Sequence, residues 1–583
     1  MYIDSPMRAA YASEATASVC APMWSCGANR LRGSGARAVP IAWASLLSAA
    51  AIVALGGCGG GSGSSSARVG AHRAAHGGGA ATTPANGGTP APGGGAGTRR
   101  PNIVFVLTDD LSQNLVRFMP HVLQMQREGV SFQNYFVTDS LCCPSRASIL
   151  TGRFPHNTHV FDNSPPEGGY ATFSERGEEQ ETFAVALQHE GYSTALMGKY
   201  LNGYKPNGAV AGLGVGATAG DGSSPAVAAQ GRAPVPPGWS EWDVAGDGYP
   251  EYGYHMNSNG HVRGYGYRPQ DYLTDVLARK GLSFISAAAG RRRPFLLELA
   301  TFAPHSPYTP APRDYGEFPG LRAPRTPAFD AIGSNEPAWL RYFEPLGPRQ
   351  IASIDSKFRM RAQAVQAVDR MIGEIEQELA AKGLARNTYI VFSSDNGLHM
   401  GEHRLRPGKL TAFDSDIKVP LVVVGPGVPA GRRVSAMSEN IDLCPSFEQL
   451  AGAPIPPSVD GHSLVGLWHG QRASGWRKVI LVEHHGRVSD SGDPDLPTQG
   501  SGNPPSYEAI RSAHSLYVEY ATGEREYYNL SRDPFELDNL GEQLSPALAR
   551  RLHRTLARIE RCHGARACWR AQHGARRGHR LTT

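Results

Sequence analysis

No sign of charge dominates this chain. Its 583 residues hold 57 Lys plus Arg against 52 Asp plus Glu, a net of +5, and so small an excess over so long a chain gives no argument for a nucleic-acid partner. A long hydrophobic run is also missing. The apolar, Ala-rich stretch at about 39–55 is too short and too lightly flanked to favour a conventional spanning helix. Cysteine is sparse, eight in all, and neither a His-Glu-x-x-His run nor a paired Cys-x-x-Cys stands in the core, which disfavours a zinc hydrolase. What is present is length enough for a large core and more than one domain.

Large apolar side chains almost vanish between residues 56 and 98, which are mostly Gly, Ser, Ala, Thr and Pro. Such a stretch cannot offset chain entropy by burial and reads as a flexible tether. Arg30, Arg32 and Arg37 ahead of the 39–55 run give the layout of a signal peptide. Its end, Leu55-Gly56-Gly57-Cys58, resembles the bacterial lipobox, whose cysteine becomes the lipidated first residue of the mature protein. The organisation expected is a leader at 1–58, a tether at 59–99, a catalytic domain at 100–475, a carboxyl-terminal subdomain at 476–570 and a basic tail at 571–583. The protein is then exported, either as a cell-surface lipoprotein whose lipid on Cys58 is its one link to a membrane or as a secreted protein. An exported location also permits Cys562 and Cys568 to form a disulfide.

In the catalytic part, Asn102 to Thr108 is a continuous apolar run with β-branched residues, the pattern of a strand buried on both faces. It ends in Asp109-Asp110. A second such run, Tyr389 to Phe392, is followed after two serines by Asp395-Asn396. Ligands of open α/β sheets gather at the carboxyl ends of strands, and these four residues are oxygen donors of the kind that suit Ca²⁺, with Mg²⁺ as second choice. Taken alone, Asp109-Asp110 is equally well read as a polar turn, and the second pair at a second strand end is what favours a cation. Further strands are expected at Pro294 to Ala300, at Val419 to Val424 and leading into Gly198-Lys199, and helices near Thr182 to Glu190 and from Met360 to Leu379. The Gly- and Ala-rich residues 207–232 read as an inserted loop. Tyr252, Tyr254, Tyr265 and Tyr267 read as packing in preference to a sugar cleft.

The organising stretch is Cys142-Cys-Pro-Ser-Arg146, continuing to Leu150-Thr-Gly-Arg153. Pro144 restricts the residue before it and opens a helix, and Ser145 is placed to cap its first turn. This run resembles the signature of type I sulfatases, in which the first cysteine is converted to formylglycine. The resemblance covers about 100–568 and implies an alkaline-phosphatase-like sulfatase fold: α/β, a large mixed sheet flanked by helices, and a smaller carboxyl-terminal antiparallel sheet. It assigns conversion to Cys142, performed by a formylglycine-generating enzyme, and divalent-metal binding to Asp109, Asp110, Asp395 and Asn396 together with the converted Cys142. It makes Arg146, Lys199, His305 and Lys409 the remaining catalytic residues, with the lysines contacting the sulfate of a sulfate-ester substrate and His305 its ester. The modified residue supplies a hydrated aldehyde, one hydroxyl attacking sulfur and the other later releasing sulfate.

Gly-Lys-Tyr-Leu-Asn-Gly at 198–203 is closest to the glucosamine-6-sulfatase branch, although Leu201 stands where many relatives carry a histidine. His399 and His403 read as structural first and as subsite residues second. Two other functions use the same features: hydrolysis of a phosphate or phosphonate monoester, and glycan binding without catalysis.

Overall fold

A computed structural model of the chain describes residues 100–207, 233–291 and 293–573. The expected leader with Cys58, the tether, nearly all of the 207–232 insertion and most of the basic tail lie outside the described residues.

Asn102–Thr108 forms β1, buried at every position. Ser193–Lys199 is β2, Glu241–Ala245 β3, Phe295–Ala300 β4, Thr388–Ser394 β5 and Leu421–Val424 β6. They lie side by side in the order β6, β5, β1, β4, β2, β3 within a ten-stranded sheet. β5 through β3 run parallel, whereas β6 pairs antiparallel to β5. Val130–Phe132 and Arg432–Val434 extend the β6 edge, and His255–Ser258 and His261–Gly264 extend the other.

Alternation along β1 divides the core. Ile103, Phe105 and Leu107 enter one apolar cluster, with Ala147, Ile149 and Leu150 of α1 (Cys142–Thr151), Phe183 and Leu187 of α2 (Phe183–His189), and Phe447 of α5 (Leu443–Ala451). Val104 and Val106 enter the other, with Leu277, Phe284 and Ile285 of α3 (Leu273–Arg291) and Val365, Val368, Met371 and Ile375 of α4 (Pro348–Ala381). Successive strand side chains point to opposite faces, so a strand that is apolar throughout needs helices on both sides. The helix expected from Met360 to Leu379 is the inner part of α4, which begins twelve residues earlier at Pro348.

Four strands, β7 (Val479–His484), β8 (Tyr507–Ser512), β9 (Ser515–Tyr520) and β10 (Arg525–Asn529), make an antiparallel sheet. One face of it, with Ile480, Val482, Leu516 and Val518, joins the same apolar cluster as Phe105. The other, with Leu481, Ile510 and Tyr517, packs on Leu552, Leu556 and Ile559 of α6 (Pro546–Ile559). Cys562 and Cys568 are disulfide-bonded just beyond α6. No helix among the described residues is long and apolar enough to cross a membrane.

Two local expectations need correction or extension. Ser145 does not cap α1: the cap position is Leu141, in extended backbone, and the helix begins at Cys142. Pro144 is thus third in the helix, where a missing N–H costs nothing because the first turn's donors have no intrahelical acceptor. The Ser145 hydroxyl instead donates to the Asp395 carbonyl, tying α1 to the end of β5. The tyrosines do pack, as the stacked pairs Tyr252–Tyr267 and Tyr254–Tyr265, though Tyr267 keeps 81% of its surface exposed.

Candidate active site

The parallel strands converge on one place. β1 delivers Asp109 and Asp110 at its carboxyl end, β2 ends on Lys199, β4 leads within five residues to His305, and β5 is followed by Asp395 and Asn396. α1 presents Cys142 and Arg146 from its first turns. Lys409 arrives on the segment between β5 and β6. Asp110 has φ 61°, a left-handed conformation that a non-glycine residue holds only when its surroundings enforce it.

Here Cys142 Sγ lies 3.1 Å from Asp109 Oδ1 and accepts from Lys409 Nζ at 2.9 Å. Lys409 Nζ is also 2.7 Å from Asp110 Oδ1, and Lys199 Nζ is 2.6 Å from Asp109 Oδ2. Arg146 Nε donates to Asp395 Oδ2 at 2.7 Å and its Nη1 to the Lys199 carbonyl at 3.2 Å. Asp395 Oδ1 accepts from the Asp110 backbone N–H at 3.1 Å, and Asn396 Nδ2 donates to Asp110 Oδ1 at 2.7 Å. All nine residues named by the sequence are therefore gathered here, and all are buried.

So dense a charge cluster shifts its members. Burial pushes the Asp109 carboxyl up, but Lys199, His305, Arg146 and Lys409 together hold it well below the usual carboxylate range. Burial, with Asp109 adding to it, raises Asp395 to about 6 despite Arg146. Burial disfavours charged His305, yet Asp110, Asp109 and Asp495 bring it to about 9. Its two ring nitrogens both face oxygens, the Ser306 carbonyl at 2.7 Å and Asp495 at 2.6 Å, as an imidazolium requires. Burial and then Asp109 and Asp495 lift the Cys142 thiol well above its ordinary value.

The donor set fits a metal ion. Ligand atoms of Asp109, Asp110, Cys142 and His305 all lie within 4.8 Å of one another. Asn396 Oδ1, fully buried, has no hydrogen-bond partner, and an orphaned buried carbonyl oxygen beside three aspartates is an acceptor awaiting a hard cation. His305 is held by Asp495 and Ser306, so among these four it belongs with the anion-facing groups.

Several neighbours were not foreseen. Asp495, on the loop between β7 and β8, places Oδ1 2.7 Å from Lys409 Nζ and 2.6 Å from His305 Nε2. Asn163 donates from Nδ2 to Asp495 Oδ2 at 2.8 Å and accepts the Cys143 N–H on Oδ1 at 2.9 Å. The Tyr249 ring lies 4.9 Å from Lys199 Nζ, and Arg361 of α4 donates to the Asp110 carbonyl. None of these carries a signal in sequence beyond an ordinary polar residue in a loop or a helix. A cavity of about 100 Å³, lined among others by His305, Tyr308, Lys357, Lys409 and Asp495, opens from the cluster. His399 and His403 stand apart: His399 is clasped by Asp416 and the Ser501 carbonyl, each at 2.9 Å, and His403 stacks on Phe413 at 3.9 Å. Leu201 is in the core, 3% exposed, rather than in the pocket.

The sulfatase family model matches residues 101–453, and the model described as N-sulphoglucosamine sulphohydrolase, C-terminal, matches 401–561. N-acetylglucosamine-6-sulfatase of Homo sapiens is 34% identical over 496 residues, covering 80% of this chain and 86% of that one. An arylsulfatase of Volvox carteri is 30% identical over 522 residues, 80% of this chain and 76% of its own. Among solved structures, one bound to its substrate D-glucosamine-2-N,6-O-disulfate superposes with TM-score 0.63 at 22% identity, over 79% of this chain and 97% of that one. A phosphonate monoester hydrolase from Silicibacter pomeroyi reaches 0.58 at 24%, over 79% and 94%. These last two share the fold. On its matched domain and its curated relatives, the chain belongs to the sulfatase family of sulfuric ester hydrolases.

Proposed function

We propose that the protein hydrolyses a sulfate monoester, of a sugar or an aryl alcohol, using formylglycine made from Cys142 and a divalent cation, Ca²⁺ before Mg²⁺. The observation that carries this is the position of Cys142: first residue of α1, in contact with both Asp109 and Lys409. An unmodified thiol held protonated by burial is a poor nucleophile, whereas the hydrated aldehyde would bring a hydroxyl to sulfur and the cation would neutralise charge on the sulfate. Asp109, Asp110, Asp395 and Asn396 would hold that cation. Lys199 and Lys409 would orient the sulfate from two sides, Arg146 would fix the end of β5 against residue 142, and protonated His305 would donate toward the leaving oxygen.

Cys142 is completely buried, so a formylglycine-generating enzyme would have to act before α1 folds. The leader and Cys58 support export as a cell-surface lipoprotein. Glucosamine 6-sulfates are the first substrates to try, on the strength of Gly198 to Gly203 and of the curated relatives. The test pairs a peptide mass spectrum across Cys142 with sulfate release from a panel of sulfated sugars and aryl sulfates. An intact thiol in active protein, or faster turnover of aryl phosphate than of aryl sulfate, overturns the reading.

A further inference from the structure

Asp495 puts a negative charge where a negative substrate must enter. If the proposed sulfatase reading holds, the ester's sulfate lies among Lys199, Lys409 and His305, and Asp495 Oδ1 is already bonded to two of these, at 2.7 Å and 2.6 Å. Its other oxygen accepts from Asn163 at 2.8 Å, and its backbone N–H donates to Asp493 Oδ1 at 2.9 Å, so the carboxylate is aimed by its own loop. The side chain is 3% exposed, and water screens it little. Neutralising Lys409 does not require it, since Asp110 lies at the same 2.7 Å on another side. Lys199 likewise has Asp109 at 2.6 Å, so neither lysine needs this further carboxylate as a counter-charge, and its presence bears on which anions stay.

We infer that Asp495 is a specificity-determining residue that selects by charge, favouring a monoanionic sulfate ester over dianions. Coulomb energy scales with the product of the charges, so a fixed carboxylate opposes a dianion twice as strongly as a monoanion at the same place. In the hydrolysis, oxygen from water joins sulfur, the bond from sulfur to the alcohol oxygen breaks, and the alcohol takes one proton. A singly charged ester thus becomes a neutral alcohol, a sulfate dianion and one proton in solution. The product carries twice the substrate's charge in the pocket, and Asp495 helps expel it. Phosphate monoesters, dianionic above a second pKa of about 6, meet the same opposition, so this residue also works against phosphate esters relative to sulfate esters.

The experiment is calorimetric titration at pH 8 in calcium, with Cys142→Ala in every protein so that nothing turns over. Ethyl sulfate, ethyl phosphate and inorganic sulfate are the probes. Asp495→Asn should tighten ethyl sulfate about threefold and both dianions about tenfold, the square of the first factor. In the active protein the same substitution should strengthen inhibition by inorganic sulfate. Equal gains for all three probes, no gain, or a general loss of binding overturns charge selection. Asp495→Ser removes the same charge and serves as a second variant should Asp495→Asn misfold, with the dianions again gaining the square of the factor by which ethyl sulfate gains. If no probe binds any protein, the sulfatase reading falls together with this one. If the probes bind without regard to charge, only this inference falls.

Discussion

Cys142 and Arg146 stand four residues apart on α1, and their loss should differ in its effect on stability. The Cys142 thiol has a carboxylate and an ammonium as its partners, and replacing so small a side chain by alanine should abolish sulfate release while leaving the denaturation midpoint nearly unchanged. Arg146 is buried against Asp395. Its removal strands a buried carboxylate, a loss of about 3–5 kcal/mol in comparable pairs, so Arg146→Ala should lower both turnover and the urea midpoint. Lys409→Ala should cost about 10²–10³ in kcat/KM on an aryl sulfate, the usual effect of deleting one preorganised donor. His156, outside the site, offers a pH signature. Its Nδ1 is 2.9 Å from both Glu483 oxygens and its Nε2 is 3.0 Å from the Cys562 carbonyl. Burial works against the imidazolium, but Glu483 outweighs it and the pKa rises above 6.5. A raised folded-state pKa stabilises fully below the unfolded value of about 6.5 and fades as pH climbs through the folded one. His156→Ala should therefore destabilise more at pH 6 than at pH 9, and equal losses in unfolding free energy at the two values would contradict the pairing.

At the level of elements, β2 explains a residue that sequence reading treated as part of a pattern. Gly198 precedes Lys199 with φ +111°, and a Cβ there would lie 1.9 Å from the Ala300 carbonyl oxygen of β4. The strands run this close so that Lys199 and the chain leaving β4 toward His305 end at the same height. Gly198→Ala should force the two strands apart, costing about 1–3 kcal/mol in backbone strain alone, and should lower kcat on aryl sulfates even though the alanine touches no substrate. A crystal structure or a thermal melt of the variant indistinguishable from the parent would contradict this. The strand assignments themselves were readable because parallel strands covered on both faces are unbroken apolar runs, and β1 matches its expected span residue for residue. The cap of α1 was misread because Ser145 fits a capping pattern locally, and only the approach of β5 gives its hydroxyl a different acceptor.

For the molecule as a whole, two ledgers are left open by the chain itself. The buried carboxyls of Asp109, Asp110, Asp395 and Asp495 meet Lys199, Lys409, Arg146 and His305 in one pocket, and a divalent cation binding only the folded state would stabilise it by about 2.7 kcal/mol at one hundred times its dissociation constant. The melting temperature should rise with added calcium and fall with a chelator. The second concerns the terminal sheet. Ile480, Val482, Leu516 and Val518 share a core with Phe105, so a chain ending at residue 475 should expose that core and aggregate, which gel filtration would register. Sequence alone determined the strand-end carboxylates, the presence of a helix carrying Arg146 and, through resemblance, the family, because these depend on short runs of neighbouring residues. Tertiary structure alone decided that Asp495, more than 80 residues beyond Lys409, enters the same pocket, and that Tyr249, Asn163 and Arg361 surround it. A loop aspartate has no periodicity and no motif to announce it. Its role is set by which cations the folded sheet brings within 3 Å, a long-range outcome that no local pattern encodes.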